Sequence, residues 1–263
     1  MQAMRVNGVT LHYADEGDRG GLPVVFSNSL GTDFRIWDET VARMSSRLRF
    51  IRYDTRGHGL SEAPSDACSV EDLADDLAAL LDRLEVRRAV VVGLSIGGMV
   101  AQALAARRPD LTRALVLMDT AARIGEPMSW ESRIAQVEAH GVAAIAEGVI
   151  AKWFSAAFRA NRPEALAMWK AMLSRTEAKG YVACCRALRD ADLRASTARL
   201  GLPVLAICGD EDGSTPPDVV EATADLIAGA RFELVREAGH LPCIEHPNTC
   251  AAMLTAFLSE IGR

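Results

Sequence analysis

The chain has 263 residues, of which 49% are hydrophobic and 24% are charged, and its formal net charge is -6 at pH 7. This is an ordinary globular composition, and the length favours one large α/β domain with a sizeable core. The negative charge argues against nucleic acid or an anionic membrane as the main partner, and an anionic substrate would need a locally cationic pocket.

The start of the chain and its cysteines bear on the cellular compartment. Residues 1–8 contain no apolar core of a signal peptide, and no apolar run approaches the roughly 20 residues of a membrane span. The six cysteines show neither a C-x-x-C pair nor a metal-binding spacing. We therefore expect a cytoplasmic protein with reduced thiols and no metal site.

The first predicted elements alternate between strand and helix. Residues 6–14 alternate in hydrophobicity around Asn7-Gly8, which predicts an opening hairpin. The next elements are a strand over 23–26, a helix over 38–48, a strand over 50–53 and a helix over 70–84.

The most informative segment is Gly93-Leu94-Ser95-Ile96-Gly97-Gly98, which directly follows the apolar run 89–92. The β-branched run predicts a buried strand, and residues 99–105 predict a helix. Ser95 is therefore expected on a sharp strand-to-helix turn, the nucleophile elbow of G-x-S-x-G enzymes, whose strained backbone exposes the serine hydroxyl. The alternative is a chance G-x-S-x-G in a loop, which the flanking strand and helix disfavour.

A strand is predicted over 114–118, and no convincing strand follows from Ala121 to Leu200, where the periodicity is helical. The alternation resumes with a strand over 203–208, a helix over 219–227, a strand over 232–235 and a helix over 248–261. Such alternation predicts a mostly parallel sheet with helices on both faces. We expect a core domain of residues 1–120 and 201–263, with residues 121–200 inserted as a helical cap.

A serine nucleophile needs a histidine as general base, and the chain has five. His240 follows the last predicted strand, at the sheet edge where open α/β folds build their sites. His58 lies in a glycine-rich turn after an earlier strand and is the alternative base. His12, His140 and His246 are expected to be structural or exposed.

The acid that orients the histidine is expected between the serine and the histidine in the chain. The loop Gly209-Asp210-Glu211-Asp212-Gly213 follows the penultimate predicted strand and carries three carboxylates. One of them is expected to turn inward. Asp119, after the sixth predicted strand, is the rival.

Four motifs make the chain resemble the α/β-hydrolases over nearly its whole length. They are the elbow 93–98, Asp54-x-Arg56-Gly57-x-Gly59-x-Ser61, Gly209-x-x-Asp212 and Gly239-His240. The chain is more narrowly similar to 3-oxoadipate enol-lactonases, on segments 28–37, 53–59, 98–102 and 238–242.

The resemblance implies an α/β-hydrolase fold, an eight-stranded, mostly parallel sheet flanked by helices with a helical cap. It also implies a triad of Ser95, Asp212 and His240, and an oxyanion hole formed by the backbone amides of Leu30 and Ile96.

Two sequence details refine the resemblance. Residues 28–31 are Asn-Ser-Leu-Gly where many family members have His-Gly-x-Gly. Oxyanion donors are backbone N–H groups, so these side chains can vary, although Leu30 could instead simply pack beneath the cap. Haloalkane dehalogenases and epoxide hydrolases carry aspartate at the elbow, so Ser95 excludes them.

The implied activity is hydrolysis of 3-oxoadipate enol-lactone to 3-oxoadipate in the β-ketoadipate pathway of aromatic degradation. The expected partner is a small anionic lactone, and no cofactor is required. The alternatives are a general carboxylesterase or a carbon–carbon bond hydrolase of ring-fission products on the same fold, and, more remotely, a ligand receptor without turnover. The sequence does not indicate an oligomeric state.

A cationic side chain of the cap is expected to hold the free carboxylate of the lactone. We favour Arg133, because Trp130 would share its helix face and could shield the lactone ring from water. The cationic candidates in the cap include Arg123, Arg133, Lys152, Arg159, Arg175 and Arg186.

Overall fold

A single eight-stranded sheet forms the centre of the computed structural model, which describes residues 2–64 and 67–262. In space the strands follow the order β1-β2-β4-β3-β5-β6-β7-β8. The pairs β1–β2 and β2–β4 are antiparallel, and all other neighbours are parallel, which confirms the predicted sheet. The strands are β1 (Gln2–Val6), β2 (Val9–Gly17), β3 (Pro23–Ser27), β4 (Arg49–Tyr53), β5 (Ala89–Leu94), β6 (Thr112–Met118), β7 (Val204–Gly209) and β8 (Arg231–Val235).

The opening hairpin turns at Asn7 and Gly8, as predicted. Their φ angles are 43° and 84°, and Val6 pairs with Val9 across the turn. Two consecutive positive φ values are what a tight hairpin turn requires, and asparagine and glycine are the residues that adopt them most readily.

Helices cover both faces of the sheet, so every residue of β5 is buried. The helices outside the segment between β6 and β7 are α1 (Asp38–Val41), α2 (Val70–Arg83), α3 (Ile96–Arg107), α10 (Pro217–Ala224), α11 (Pro242–Glu245) and α12 (Pro247–Ile261). Between β6 and β7 lie α4 (Pro127–His140), α5 (Ala146–Trp153), α6 (Ala156–Asn161), α7 (Pro163–Ser174), α8 (Ala178–Asp190) and α9 (Arg194–Thr197), here called the helical insertion.

The structure differs from the predicted elements at two places: one predicted helix is wrong in length, and one short helix is additional. The helix predicted over 38–48 ends at Val41, because the chain continues in tight turns in which Met44 N donates to Val41 O and Leu48 N donates to Ser45 O. The short helix α11 was not predicted, since four residues are too few to show a hydrophobic period.

The helical insertion and the rest of the chain come into direct backbone contact at two glycines. A Cβ atom added to Gly57, in the loop after β4, would lie 2.4 Å from the Cα of Gly180 in α8. Only two glycines allow this approach, so α8 lies directly on the glycine-rich turn that the sequence contains at residues 57–59.

Two sequence expectations concerned the membrane and the thiols. Within the described ranges, no helix is long and apolar enough to cross a membrane. All six cysteines are buried and free.

Candidate active site

Ser95 occupies the sharp turn between β5 and α3, with φ 58° and ψ -121°. A non-glycine residue in this region is strained, and such strain is typical of functional sites. The turn is possible because strand and helix nearly collide at glycines: a Cβ on Gly93 would lie 2.2 Å from Gly97 O. Thr120 Oγ1 donates to Ser95 O at 2.6 Å and fixes the turn from below.

His240 is paired with Asp212, and both side chains are buried. The distance from His240 Nδ1 to Asp212 Oδ2 is 2.8 Å. Asp212 Oδ1 accepts from the backbone amides of Ser214 at 2.7 Å and Thr215 at 3.1 Å. Burial alone would raise the pKa of Asp212, but His240 and these hydrogen bonds outweigh it and hold the pKa below its ordinary value.

Asp119, the rival acid, lies close to Asp212 but does not hold the histidine. Its Oδ1 accepts from Gly209 N at 2.8 Å, and its Oδ2 is buried without a partner among the described residues. Burial, followed by the negative charge of Asp212, raises the pKa of Asp119 well above its ordinary value. Asp212 is thus the carboxylate that faces His240, whereas Asp119 faces the backbone of Gly209.

The other histidines have partners outside this site. His12 Nδ1 lies 2.7 Å from Asp54 Oδ2, and His246 Nε2 lies 3.0 Å from Glu237 O. His140 is exposed at the end of α4.

His58, the alternative base, is buried beneath the helical insertion, with its ring 6.4 Å from that of Tyr181. Its Nδ1 lies 3.2 Å from Arg56 O, and its Nε2 has no hydrogen-bond partner within the described ranges. Burial lowers the pKa of His58 to about 4. The ring is therefore a neutral packing group at neutral pH.

This burial predicts a loss of stability in acid. Between the pKa of about 4 in the folded protein and about 6.5 in the unfolded chain, the unfolded state binds more protons, so stability falls as the pH falls. We expect His58→Asn, whose amide can replace the Nδ1 donor, to remove about 3 kcal/mol of the stability change between pH 7 and pH 4. Urea unfolding of both proteins across this range measures it. If the free energy of unfolding fell by the same amount between pH 7 and pH 4 in both proteins, or if His58→Asn were inactive at pH 7, His58 would not be a neutral packing group.

Ser95 and His240 line one cavity of about 190 Å³ between the sheet edge and the helical insertion. His240 Nε2 lies 3.4 Å from Oγ of Ser29, which also lines this cavity. Leu30 also lines the cavity, and among the described residues no carbonyl accepts from its backbone amide. Ile96 opens α3, where the first N–H groups of a helix have no intrahelical partner.

Arg133 and Trp130 lie on the insertion side of the same cavity. The guanidinium carbon of Arg133 is 5.0 Å from the centre of the Trp130 ring. Trp130 Nε1 donates to Ile124 O at 2.7 Å, which fixes the indole. The two side chains share a helix face, as predicted from their spacing.

Arg133 and Lys152 are the two cationic side chains that line the cavity, and neither forms an ion pair within residues 2–64 and 67–262. By contrast, Arg123 pairs with Glu126 at 3.5 Å and Arg186 pairs with Glu138 at 2.5 Å. Two unpaired cations facing one small cavity make it suited to an anionic ligand.

Several residues of the site were not predicted as site residues. Ser29 lies in a segment that the sequence did single out, at 28–31, but its contact with His240 was not foreseen. Thr215 Oγ1 lies 2.7 Å from both Asp119 O and Asp212 Oδ2. No local pattern marks such residues, because their neighbours come from distant parts of the chain. The remaining unpredicted lining residues include Trp153, Tyr181 and Ser214.

Comparisons with known proteins agree with the motifs. A sequence model of the alpha/beta hydrolase fold matches residues 23–247. The chain is 35% identical to 3-oxoadipate enol-lactonase 2 of Acinetobacter baylyi over 91% of this chain and 89% of that protein. The crystal structure of the enol-lactonase from Burkholderia xenovorans matches with a TM-score of 0.95 and 38% identity, covering 98% of this chain and 100% of that one.

A relative named for another activity is also similar. The non-heme chloroperoxidase of Streptomyces lividans is 27% identical over 97% of this chain and 98% of that protein. The matches thus confirm the resemblance to the family and to its enol-lactonases, and they show that similar chains carry different named activities.

Proposed function

Because the chain belongs to the alpha/beta hydrolase fold family, we propose that this hydrolase opens a small anionic enol-lactone, 3-oxoadipate enol-lactone, through a serine triad. The observation that carries the proposal is the cavity in which Ser95 and the Asp212-paired His240 face the unpaired Arg133. A nucleophile with its base and a cation for the substrate carboxylate are what this reaction needs. The enol-lactonase relatives support the same substrate class.

In the first half of the reaction, Ser95 Oγ attacks the lactone carbonyl carbon while His240 Nε2 takes the hydroxyl proton. Asp212 holds Nδ1–H of the imidazole and stabilises the imidazolium. The bond from the acyl carbon to the ring oxygen then breaks, the enol oxygen takes from His240 the proton that came from Ser95, and the enol tautomerises to the ketone. An enol is a better leaving group than a simple alcohol, so the site needs to supply little acid assistance.

In the second half, water gives a proton to His240 and attacks the acyl ester. The imidazolium gives its proton to Ser95 Oγ as the ester bond breaks, and the product leaves as a carboxylic acid, which loses its proton to solvent. The backbone amides of Leu30 and Ile96 hold the oxyanion in both halves. The cycle consumes one water molecule and uses no cofactor, and we place it in the β-ketoadipate pathway in the cytoplasm.

Arg133 is the proposed partner of the free carboxylate of the lactone, and Trp130 the wall against which the ring packs. Arg133→Met should raise KM for the anionic lactone by roughly tenfold or more, because one charge-assisted contact of about 1.5–3 kcal/mol is lost. It should leave kcat/KM for neutral p-nitrophenyl acetate nearly unchanged. Steady-state kinetics on both substrates measure the difference.

Arg186→Met is the matched control, because Arg186 is paired with Glu138 and does not line the cavity. It should leave both substrates unaffected. Equal losses on both substrates in Arg133→Met would make Arg133 a structural residue and move the carboxylate contact to another cation, with Lys152 first.

Active-site labelling tests the proposal as a whole. A fluorophosphonate reacts with a serine that an adjacent base activates, so peptide mass spectrometry should find it on Ser95. Excess 3-oxoadipate enol-lactone should slow the labelling by occupying the cavity. Labelling on another serine would contradict the nucleophile, and labelling that the lactone does not slow would contradict the substrate.

A further inference from the structure

Glu245 is an acidic side chain near the base that the proposed reaction does not use. It ends α11 and is partly buried. Its Oε1 accepts from Gly239 N at 2.7 Å, and its Oε2 accepts from Ser155 Oγ at 2.6 Å. Ser155 N is shared between the two oxygens, at 3.3 and 3.1 Å. No arginine or lysine among the described residues pairs with this carboxylate, so these hydrogen bonds are what hold it.

The donors come from two segments that are far apart in the sequence. Gly239 immediately precedes the base, His240. Ser155 lies in the helical insertion, between α5 and α6, and its hydroxyl also accepts from Phe158 N at 3.2 Å to cap α6. One carboxylate therefore links the loop that carries the base to the insertion that closes the cavity.

Neighbouring contacts show that this junction is tight. Leu241 N, on the other side of His240, donates to Trp153 O at 3.2 Å. A Cβ on Gly239 would lie 2.7 Å from the same oxygen, so the two segments leave no space between them. Ala156 N donates to Glu211 Oε2 at 2.9 Å, next to the acid of the triad. Residues 153–156 thus contact both the loop that carries His240 and the loop that carries Asp212.

We propose that Glu245 is a positioning residue, which acts through Gly239 and Ser155 to keep His240 aligned with Ser95 while the helical insertion closes the cavity. The role needs a carboxylate, because an ionised carboxylate only accepts hydrogen bonds and three donors face this one. Glutamine has nearly the same shape but replaces one acceptor with an NH₂ group. At least one donor would then face another donor, and the loop would shift.

The test compares Glu245→Gln with Glu237→Gln in hydrolysis of p-nitrophenyl acetate. Glu237 lies in the loop that carries His240, is exposed, and makes no side-chain hydrogen bond among those described. Glu237→Gln therefore removes the same charge but leaves the contacts of Glu245 with Gly239 and Ser155 intact. Glu245→Gln should lower kcat by about tenfold to a hundredfold, the cost of a displacement of the base by up to about 1 Å. KM should change little, and Glu237→Gln should match the wild type.

Ser155→Ala completes a double-mutant cycle and remains informative if Glu245→Gln melts at the assay temperature. It should lower kcat by a smaller factor than Glu245→Gln, and it should add no further loss in the Glu245→Gln background. Wild-type kcat in a folded Glu245→Gln, unchanged kcat in Ser155→Ala, or equal losses in Glu245→Gln and Glu237→Gln would overturn the proposal.

This inference rests on the proposed triad but not on the proposed lactone, and the assay separates the two. If wild-type protein hydrolyses the ester through Ser95 and Glu245→Gln does not slow it, only the positioning role fails. If Ser95→Ala is as active as the wild type, the proposed triad fails, and the role of Glu245 with it.

Discussion

Ser95→Ala should lower kcat on the order of 10⁶-fold, the largest effect expected of any single substitution in this chain. Removing the hydroxyl leaves His240 with no proton to take and the lactone carbonyl with no nucleophile in the cavity. The fold should persist, because Thr120 binds the backbone oxygen of Ser95, not its side chain. Turnover and thermal melting should be measured on the same preparation.

Ser129→Ala is the matched control for this loss. Ser129 also lines the cavity, but its hydroxyl donates to Glu126 O at 2.7 Å and lies outside the proposed triad. Its loss should leave kcat nearly unchanged. A folded Ser95→Ala that keeps more than about one-hundredth of wild-type activity would remove Ser95 from the role of nucleophile, since that loss is far below the factor of a triad nucleophile.

Asp212→Asn should lower kcat by up to about 10⁴-fold. The asparagine can present its amide N–H to His240 Nδ1, which places the imidazole proton on Nε2, where Ser95 needs an acceptor. In the wild type, Asp212 Oδ1 accepts from the backbone amides of Ser214 and Thr215, and the Thr215 hydroxyl contacts Oδ2. The two backbone donors should hold the amide oxygen of the asparagine at the Oδ1 position, so its NH₂ group faces His240. Kinetics at equal folded fraction measure the loss.

Asp119→Asn is the comparison that makes this result decisive. Asp119 makes no contact with His240 among the described hydrogen bonds, so an amide at this position leaves the Asp212–His240 pair in place. Its Oδ1 can still accept from Gly209 N. Asp119→Asn should therefore lose far less activity than Asp212→Asn. A larger loss in Asp119→Asn would move the acid of the triad to the end of β6.

The elbow was predictable from sequence because its cause is local. A buried strand, a helix and glycines where the two cross predict a sharp, strained turn at Ser95, and all of these features lie within residues 89–105. His240 was predictable because it follows the last strand of a parallel sheet. The helix predicted over 38–48 failed because hydrophobic spacing does not detect where turn hydrogen bonds replace helical ones.

The contacts between the helical insertion and the core could not be predicted. Helical periodicity in residues 121–200 indicates helices, but it does not say which helix faces the sheet edge. The junction of Glu245 with Ser155 joins residues 90 positions apart, and the unpaired state of Arg133 depends on which acids lie near it in space. The choice of Asp212 over Asp119 likewise came from resemblance, and its geometric support, the 2.8 Å contact with His240, is visible only in the folded chain.

The proposed substrate of the cavity is a small anionic enol-lactone. The most direct measurement is kcat/KM of the wild-type protein on 3-oxoadipate enol-lactone, p-nitrophenyl acetate and a ring-fission dienoate under the same conditions. The proposed function predicts that kcat/KM for the lactone exceeds that for the neutral ester by about tenfold or more, the contribution of one charge-assisted contact with the substrate carboxylate. The dienoate carries a carboxylate too, but it has no ester bond to an enol oxygen, so its kcat/KM should also lie below that of the lactone. Preference for the neutral ester would indicate a general carboxylesterase, and preference for the dienoate a carbon–carbon bond hydrolase. Either result, or no turnover of any of the three, would contradict the enol-lactonase assignment.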